Sequence, residues 1–182
     1  MKRIIWTFGI LGGLISAAGF FIGVLSGTNG EPDFDNMELY GWIFIFLAFV
    51  PLILGMRKAF NDGHAFSFGK QFRTGILITC LISAIYSLSF VVYMQTDAGS
   101  QFMDQMFQHY SQQMNSDPNL SPEELQQGKE QMNSMKQIYS NPFMAFLMTF
   151  LIEPFPPGLV LTLISALFWG RKGRPYRMHN PA

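Results

Sequence analysis

Four stretches of this chain carry almost no charge, and their lengths constrain the fold more than any other feature. Ile4 to Leu25 is 22 residues without a charged side chain, Leu39 to Met56 is 18, Thr74 to Met94 is 21, and Phe143 to Gly170 is 28, interrupted only by Glu153. About 20 apolar residues of helix cross a hydrocarbon core ~30 Å thick. Packed instead as the core helices of a soluble domain, four such segments in 182 residues would leave too little polar chain to cover them. The sequence therefore predicts an all-α fold, a four-helix transmembrane bundle forming a single integral membrane domain over residues 1–182. The spans fall near 4–25, 39–56, 74–94 and 143–170. An extracytoplasmic helical hairpin occupies the loop 95–142 between spans three and four.

The charges that remain are segregated. Lys2 and Arg3 precede span one; Arg57, Lys58, Lys70 and Arg73 lie between spans two and three; Arg171, Lys172, Arg174 and Arg177 follow span four. Asp62 is the one acid among these segments. The other two connections are acidic: Glu31, Asp33, Asp35 and Glu38 in the first, and six acids against Lys129 and Lys136 in the second. Lysine and arginine stay on the cytoplasmic side of a membrane, so both termini are expected to be cytoplasmic and residues 95–142 to face outward. Trp6 and Trp169 fall at the inner boundary and Tyr40, Trp42 and Tyr93 at the outer one, where amphipathic rings settle. The expected location is the cytoplasmic (inner) membrane of a bacterium, crossed in several passes. Span one resembles a signal peptide at its start, but its apolar run continues through Phe20-Phe21-Ile22, beyond the ~7–15 residues of a secretory h-region. It is expected to be retained as a helix.

Span one also carries Gly9, Gly12, Ser16, Gly19 and Gly23, spaced 3, 4, 3 and 4 apart and thus on one helical face. Small residues let helix backbones approach closely in lipid. This face is expected to be a packing seam, either within the bundle or in a homo-oligomer. Gly75, Thr79, Ser83 and Ser87 in span three and Gly158, Thr162 and Ser165 in span four offer similar surfaces.

In the long loop, Ser121-Pro122-Glu123-Glu124 has the pattern of a capping box with proline at the first helical position. It predicts a helix from Pro122 to about Ser140, preceded by one over about 100–115 and a turn through Asp117-Pro118-Asn119. Met103, Met106, Tyr110 and Met114 share one face of the first helix; Leu125, Met132, Met135 and Tyr139 share a face of the second. These stripes are expected to pack on each other or to lie on the membrane. Methionine beside His109 could suit a soft metal, but methionine at helical spacing is ordinarily adaptable packing, so no metal site is assigned. In the loop between spans two and three, Asn61-Asp62-Gly63 is a turn and Ser67 a candidate cap for the helix that follows. Phe66, Phe68 and Phe72 alternate with Lys70 and Arg73 there. With Arg57 and Lys58 these residues suit contact with anionic headgroups rather than with nucleic acid. His64 and His179 read as loop residues.

The most unusual stretch is "FLIEPFPPGLV", residues Phe150 to Val160, which places Glu153 and three prolines inside span four. Proline removes a backbone donor, clashes with the carbonyl four residues earlier and disfavours the α region for its predecessor. Pro154, Pro156 and Pro157 are therefore expected to break the helix, with a first half from Asn141-Pro142 to about Ile152 and a second from near Pro157. Thirteen residues from Pro157 to Trp169 span ~20 Å as helix. Glu153 is thus expected between the outer boundary and about a third of the way in. Two roles fit it. It could cap the second half-helix through the N–H groups of Gly158 and Leu159, where the dipole favours an anion. It could instead bind a proton or cation with freed carbonyls as co-ligands, as at the broken helices of transporters. Glu153, Pro154, Pro156, Pro157 and Gly158 form the candidate intramembrane site.

No nucleotide-binding, zinc-hydrolase or nucleophile-elbow motif occurs, and a single cysteine, Cys80, excludes an internal disulfide. No cofactor is implied. Acid–base catalysis needs titratable groups within hydrogen-bond reach of one another, and the spans hold only Glu153, so an enzyme is not expected.

Several features together resemble a bacterial family of small integral membrane proteins classed as domain-of-unknown-function family 4199. They are the length, the four-span plan, "FSFGKQFRTG" (Phe66 to Gly75) entering span three, the long acidic loop, "NPF" (Asn141 to Phe143), and the Glu-Pro break in "FLIEPFPPGLVLTLISALFWGRK". The resemblance covers nearly the whole chain and implies a four-helix membrane protein with no established activity, cofactor or catalytic residue. Two functions remain open. One is a non-enzymatic membrane component whose outer hairpin or bundle surface contacts a lipid or a membrane protein partner. The other is a small proton- or cation-coupled transporter or channel using Glu153.

Overall fold

A computed structural model describes residues 1–27, 32–118 and 120–171. Seven helices and no strand form among them: α1 (Lys2–Leu25), α2 (Phe34–Asn61), α3 (Phe68–Met94), α4 (Asp97–Ser116), α5 (Pro122–Ser140), α6 (Pro142–Ile152) and α7 (Phe155–Gly170). The prediction for His179 lies outside the described residues, as do those for Glu31, Asn119, Lys172, Arg174 and Arg177. Four helical segments are long and apolar enough to cross a membrane: α1, α2, α3, and α6 with α7 together. Their exposed side chains are largely apolar, Leu14, Phe46, Val50, Leu88, Val160 and Ile164 among them. An apolar surface this extensive needs a lipid solvent.

The helices outrun the apolar stretches that predicted them. α2 starts five residues before Leu39, because Asp33 accepts the Asn36 N–H as its N-cap. α4 starts at Asp97 rather than near residue 100, because Thr96 accepts the Gly99 N–H at 3.1 Å. Ser67 stands at the N-cap of α3, but its side chain makes no capping bond. Gln71 does that segment's fastening instead: it is fully buried and donates to the carbonyls of Ala65 and Met56.

α3 is the central helix, packed against α1, α2, α6 and α7. The main core joins Ile45, Phe49, Leu52 and Met56 of α2 to Ile78 and Ile82 of α3 and Ala166 of α7. Gly9, Gly12, Ser16, Gly19 and Gly23 are all buried inside this chain. A Cβ on Gly9 would meet Leu81 of α3; on Gly12, Ile82 and the Ala48 carbonyl; on Gly19, the Phe44 side chain of α2; on Gly23, Met37. The one face thus serves two neighbours. Gly13, absent from the predicted seam, presses on Ile85 in the same way.

One end of the bundle collects the start of α1, the α2–α3 loop and the end of α7. Ile4 packs with Ala59 and Ala65, and the Phe60 and Trp169 rings lie 5.5 Å apart. Arg57, Lys58, Lys70 and Arg73 are exposed at this basic end. Lys58 pairs with Asp62 at 3.3 Å, and Lys70 sits over the Phe66 ring at 4.6 Å.

α4 and α5 occupy the opposite end and pack on each other, with Lys136 bonded to Asp104 at 2.6 Å. The capping box of α5 is complete: Ser121 accepts the Glu124 N–H, and Glu124 accepts the Ser121 N–H at 2.9 Å. That backbone bond, then the Ser121 hydroxyl, holds the Glu124 carboxyl below its ordinary pKa. A carboxyl with a depressed folded pKa stabilises above its unfolded pKa, and the contribution disappears as pH falls through the folded value. Far-UV circular dichroism is therefore expected to show a loss of helix below about pH 4, weakened in Glu124→Gln. Identical acid profiles for the two proteins would contradict the assignment.

Candidate functional site

The break in the fourth span is shorter than its three prolines suggest. Helix α6 ends at Ile152 and α7 begins at Phe155, not near Pro157. Only Glu153 and Pro154 lie between them. Pro156 and Pro157 fall in the first turn of α7, where a backbone N–H has no intrahelical acceptor, so their missing donors interrupt nothing. The Gly158 N–H already bonds to the Pro154 carbonyl at 3.1 Å. Glu153 takes φ −92° and ψ −84°, outside the helical region, and turns the chain.

The carboxylate does not cap α7, which has no side-chain cap. Its Oε2 accepts a hydrogen bond from the Tyr86 hydroxyl of α3 at 2.5 Å. The capping expectation fails because Gly158 is satisfied from within the chain and a phenol is closer to hand. Gly158 is buried, its carbonyl accepting from Thr79 at 3.4 Å, and Pro154 is fully buried.

Glu153 also forms part of a chamber wall. A cavity of about 640 Å³ lies between the spans and the α4–α5 pair. α1 contributes Gly19, Phe20 and Gly23; α2 contributes Met37, Gly41, Trp42 and Ile45; α3 contributes Tyr86 and Phe90. The methionine stripes close it: Met103, Met106 and Met114 from α4, Met132 and Met135 from α5. Most of both stripes therefore faces a space shared with the spans. An aromatic chain ties the walls together. Phe20 meets Tyr86, Phe90 and Tyr93; Phe90 meets Tyr139 at 5.7 Å; Tyr93 meets Phe102, which meets Phe34. Burial, then the nearby Glu153 carboxylate, pushes the Tyr139 phenol above its ordinary pKa, so it stays a neutral donor.

Among the described lining residues the charged groups are Glu38 and Glu153, with no lysine, arginine or histidine. Glu38 accepts from the Trp42 indole at 3.4 Å. His109 is not among the cavity's lining residues; its ring lies 5.3 Å from Phe34 and its Nε2 3.2 Å from Asp35. No cluster of three or more His, Cys, Asp or Glu suited to a metal occurs among the described residues.

Sequence reasoning named Glu153 and the methionines separately. The residues that join them, Tyr86, Phe20 and Gly41, lie on other helices. A tyrosine inside an apolar span was the one available signal, since its hydroxyl requires a partner.

These features define a helical protein with four membrane-spanning segments and a largely apolar cavity between them and the α4–α5 pair. Residues 7–171 match the family described as a protein of unknown function, DUF4199, and the chain belongs to that family. No curated protein and no solved structure matches it.

Proposed function

We propose that this protein is a non-enzymatic membrane component that binds a lipid-like amphiphile, its chain lying in the chamber and its head group neutral or cationic. One observation carries the reading: an apolar space of about 640 Å³, bordered by membrane-spanning helices and roofed by α4–α5, whose charged lining residues are both carboxylates. That volume is within the ~300–1,000 Å³ of small-molecule sites, and an apolar wall with a few polar groups is their usual make-up. Methionine suits a chain of variable shape, because its unbranched thioether adapts to irregular surfaces. An anionic head would face Glu38 and Glu153 with no counter-charge.

The amphiphile would come from the adjacent leaflet. The concentration of bases at the opposite end supports a placement in a bacterial cytoplasmic membrane with the termini cytoplasmic and α4–α5 outside. The bilayer is then the source of the ligand. A second copy or another membrane protein would dock on exposed surfaces, because the glycine face of α1 is used within the chain.

Photolabelling in native membranes tests this reading. A neutral lipid with a diazirine in its acyl chain is expected to mark Phe102, Met106, Phe107 and Met132, which line the chamber. Label confined to lipid-facing residues such as Val160 and Ile164 would overturn it.

A further inference from the structure

Three hydroxyls on the two helices that the Tyr86–Glu153 bond joins are buried and have no hydrogen-bond partner. Ser83 and Ser87 of α3 and Thr149 of α6 are each fully buried. A buried polar group left unsatisfied is costly, so three together call for a ligand or water.

The helix register places them near one another. A Cβ on Gly75 would lie 2.6 Å from Thr162, and one on Gly158 would lie 2.6 Å from Thr79. α3 therefore runs antiparallel to the fourth span, its residues ascending as those of α7 and α6 descend. Continuing one and two turns sets Ser83 level with Pro154, and Tyr86 and Ser87 level with the 149–153 segment. The Tyr86–Glu153 hydrogen bond independently fixes this alignment. Pro154 has no N–H, so it cannot supply the helical donor to the Phe150 carbonyl.

The register thus sets a carboxylate, the Ser87 and Thr149 hydroxyls and a released carbonyl at the break, with Ser83 one turn of α3 further off. All are hard oxygen donors, the set that suits alkali and alkaline-earth cations rather than soft metals. A single carboxylate balances one positive charge. A divalent ion would leave net charge inside an apolar span, at high cost. Tyr86 holds Oε2 of the carboxylate and leaves Oε1 available. We propose that this cluster is a monovalent-cation site, for which sodium serves as the probe, with Glu153, Ser87 and Thr149 as side-chain ligands and the Phe150 carbonyl as a backbone ligand. Because Glu153 also borders the chamber, the ion has a route to the site from that side. The proposal does not depend on the chamber's occupant, and it would stand if the lipid labelling failed.

The full chain purified in detergent and exchanged into choline chloride provides the test. Sodium chloride at constant ionic strength is expected to raise Tm saturably, by about 5–10 °C at a hundred times Kd. Ser87→Ala and Thr149→Ala are expected to fold and to weaken the sodium response at least tenfold, and Glu153→Gln to abolish it. If Glu153→Gln does not fold, the two hydroxyl variants decide the matter. Equal Tm in sodium, potassium and choline would mean that water alone fills the cluster, and would overturn the proposal. A sodium shift that survives both hydroxyl substitutions would overturn it as well.

Discussion

Gly19→Ala is expected to destabilise the protein although alanine is the better helix former. Glycine costs a helix interior ~1 kcal/mol relative to alanine, so in open surroundings the substitution would stabilise. At Gly19 the added methyl collides with Phe44, its Cβ included. A Cβ is fixed by its own backbone and cannot rotate away, so α1 and α2 must separate. Overpacking of this kind costs ~1–3 kcal/mol, which corresponds to a fall in Tm of roughly 2–12 °C. Gly41→Ala is the matched control, since a Cβ there meets nothing within 4 Å. Thermal unfolding of the two variants in one detergent makes the comparison. A Gly19→Ala protein as stable as Gly41→Ala would contradict the packing.

The same open space at Gly41 gives the second large effect. Gly41 lies on the chamber wall, so Gly41→Trp should fill the chamber from a helix that tolerates the new Cβ. Acyl-chain photolabelling of α4 and α5 is expected to fall at least tenfold, with Tm unchanged or raised, because tryptophan is a better helix former than glycine. The pairing of lost labelling with retained stability separates a blocked site from a damaged fold. Undiminished labelling would show that the chain does not occupy this chamber.

Much of the fold was legible because the forces that set it act locally along the chain. An uncharged run of about 20 residues has one stable solution in a bilayer, a helix that satisfies its own backbone. The helix caps were partly legible for the same reason. The capping box at Ser121 and Glu124 was read correctly, while Asp33 and Thr96 were missed because their helices begin in polar sequence. The three prolines announced a break but exaggerated its length. Two of them sit where a helix start has no use for an N–H, and that depends on where the new helix begins.

The candidate site was legible in pieces. Glu153 stood out as an acid inside an apolar span, and the methionines stood out by their spacing. Nothing in either pattern indicated that they face the same cavity. Tyr86 is 67 positions from Glu153, and such a pairing follows from helix register, to which many side chains each contribute a little.

The sequence by itself determined that this is an all-helical protein with four apolar spans, bases gathered at one end and acids at the other, and a helix break in the fourth span at its prolines. Composition, period and proline chemistry act within a few residues of where they are written. Only the tertiary structure decided that α4 and α5 roof a chamber, that Glu153 bonds to Tyr86 rather than capping α7, and that Ser83, Ser87 and Thr149 are buried without partners. Those outcomes depend on how closely whole helices approach, which glycines such as Gly19 permit and only the packed bundle fixes.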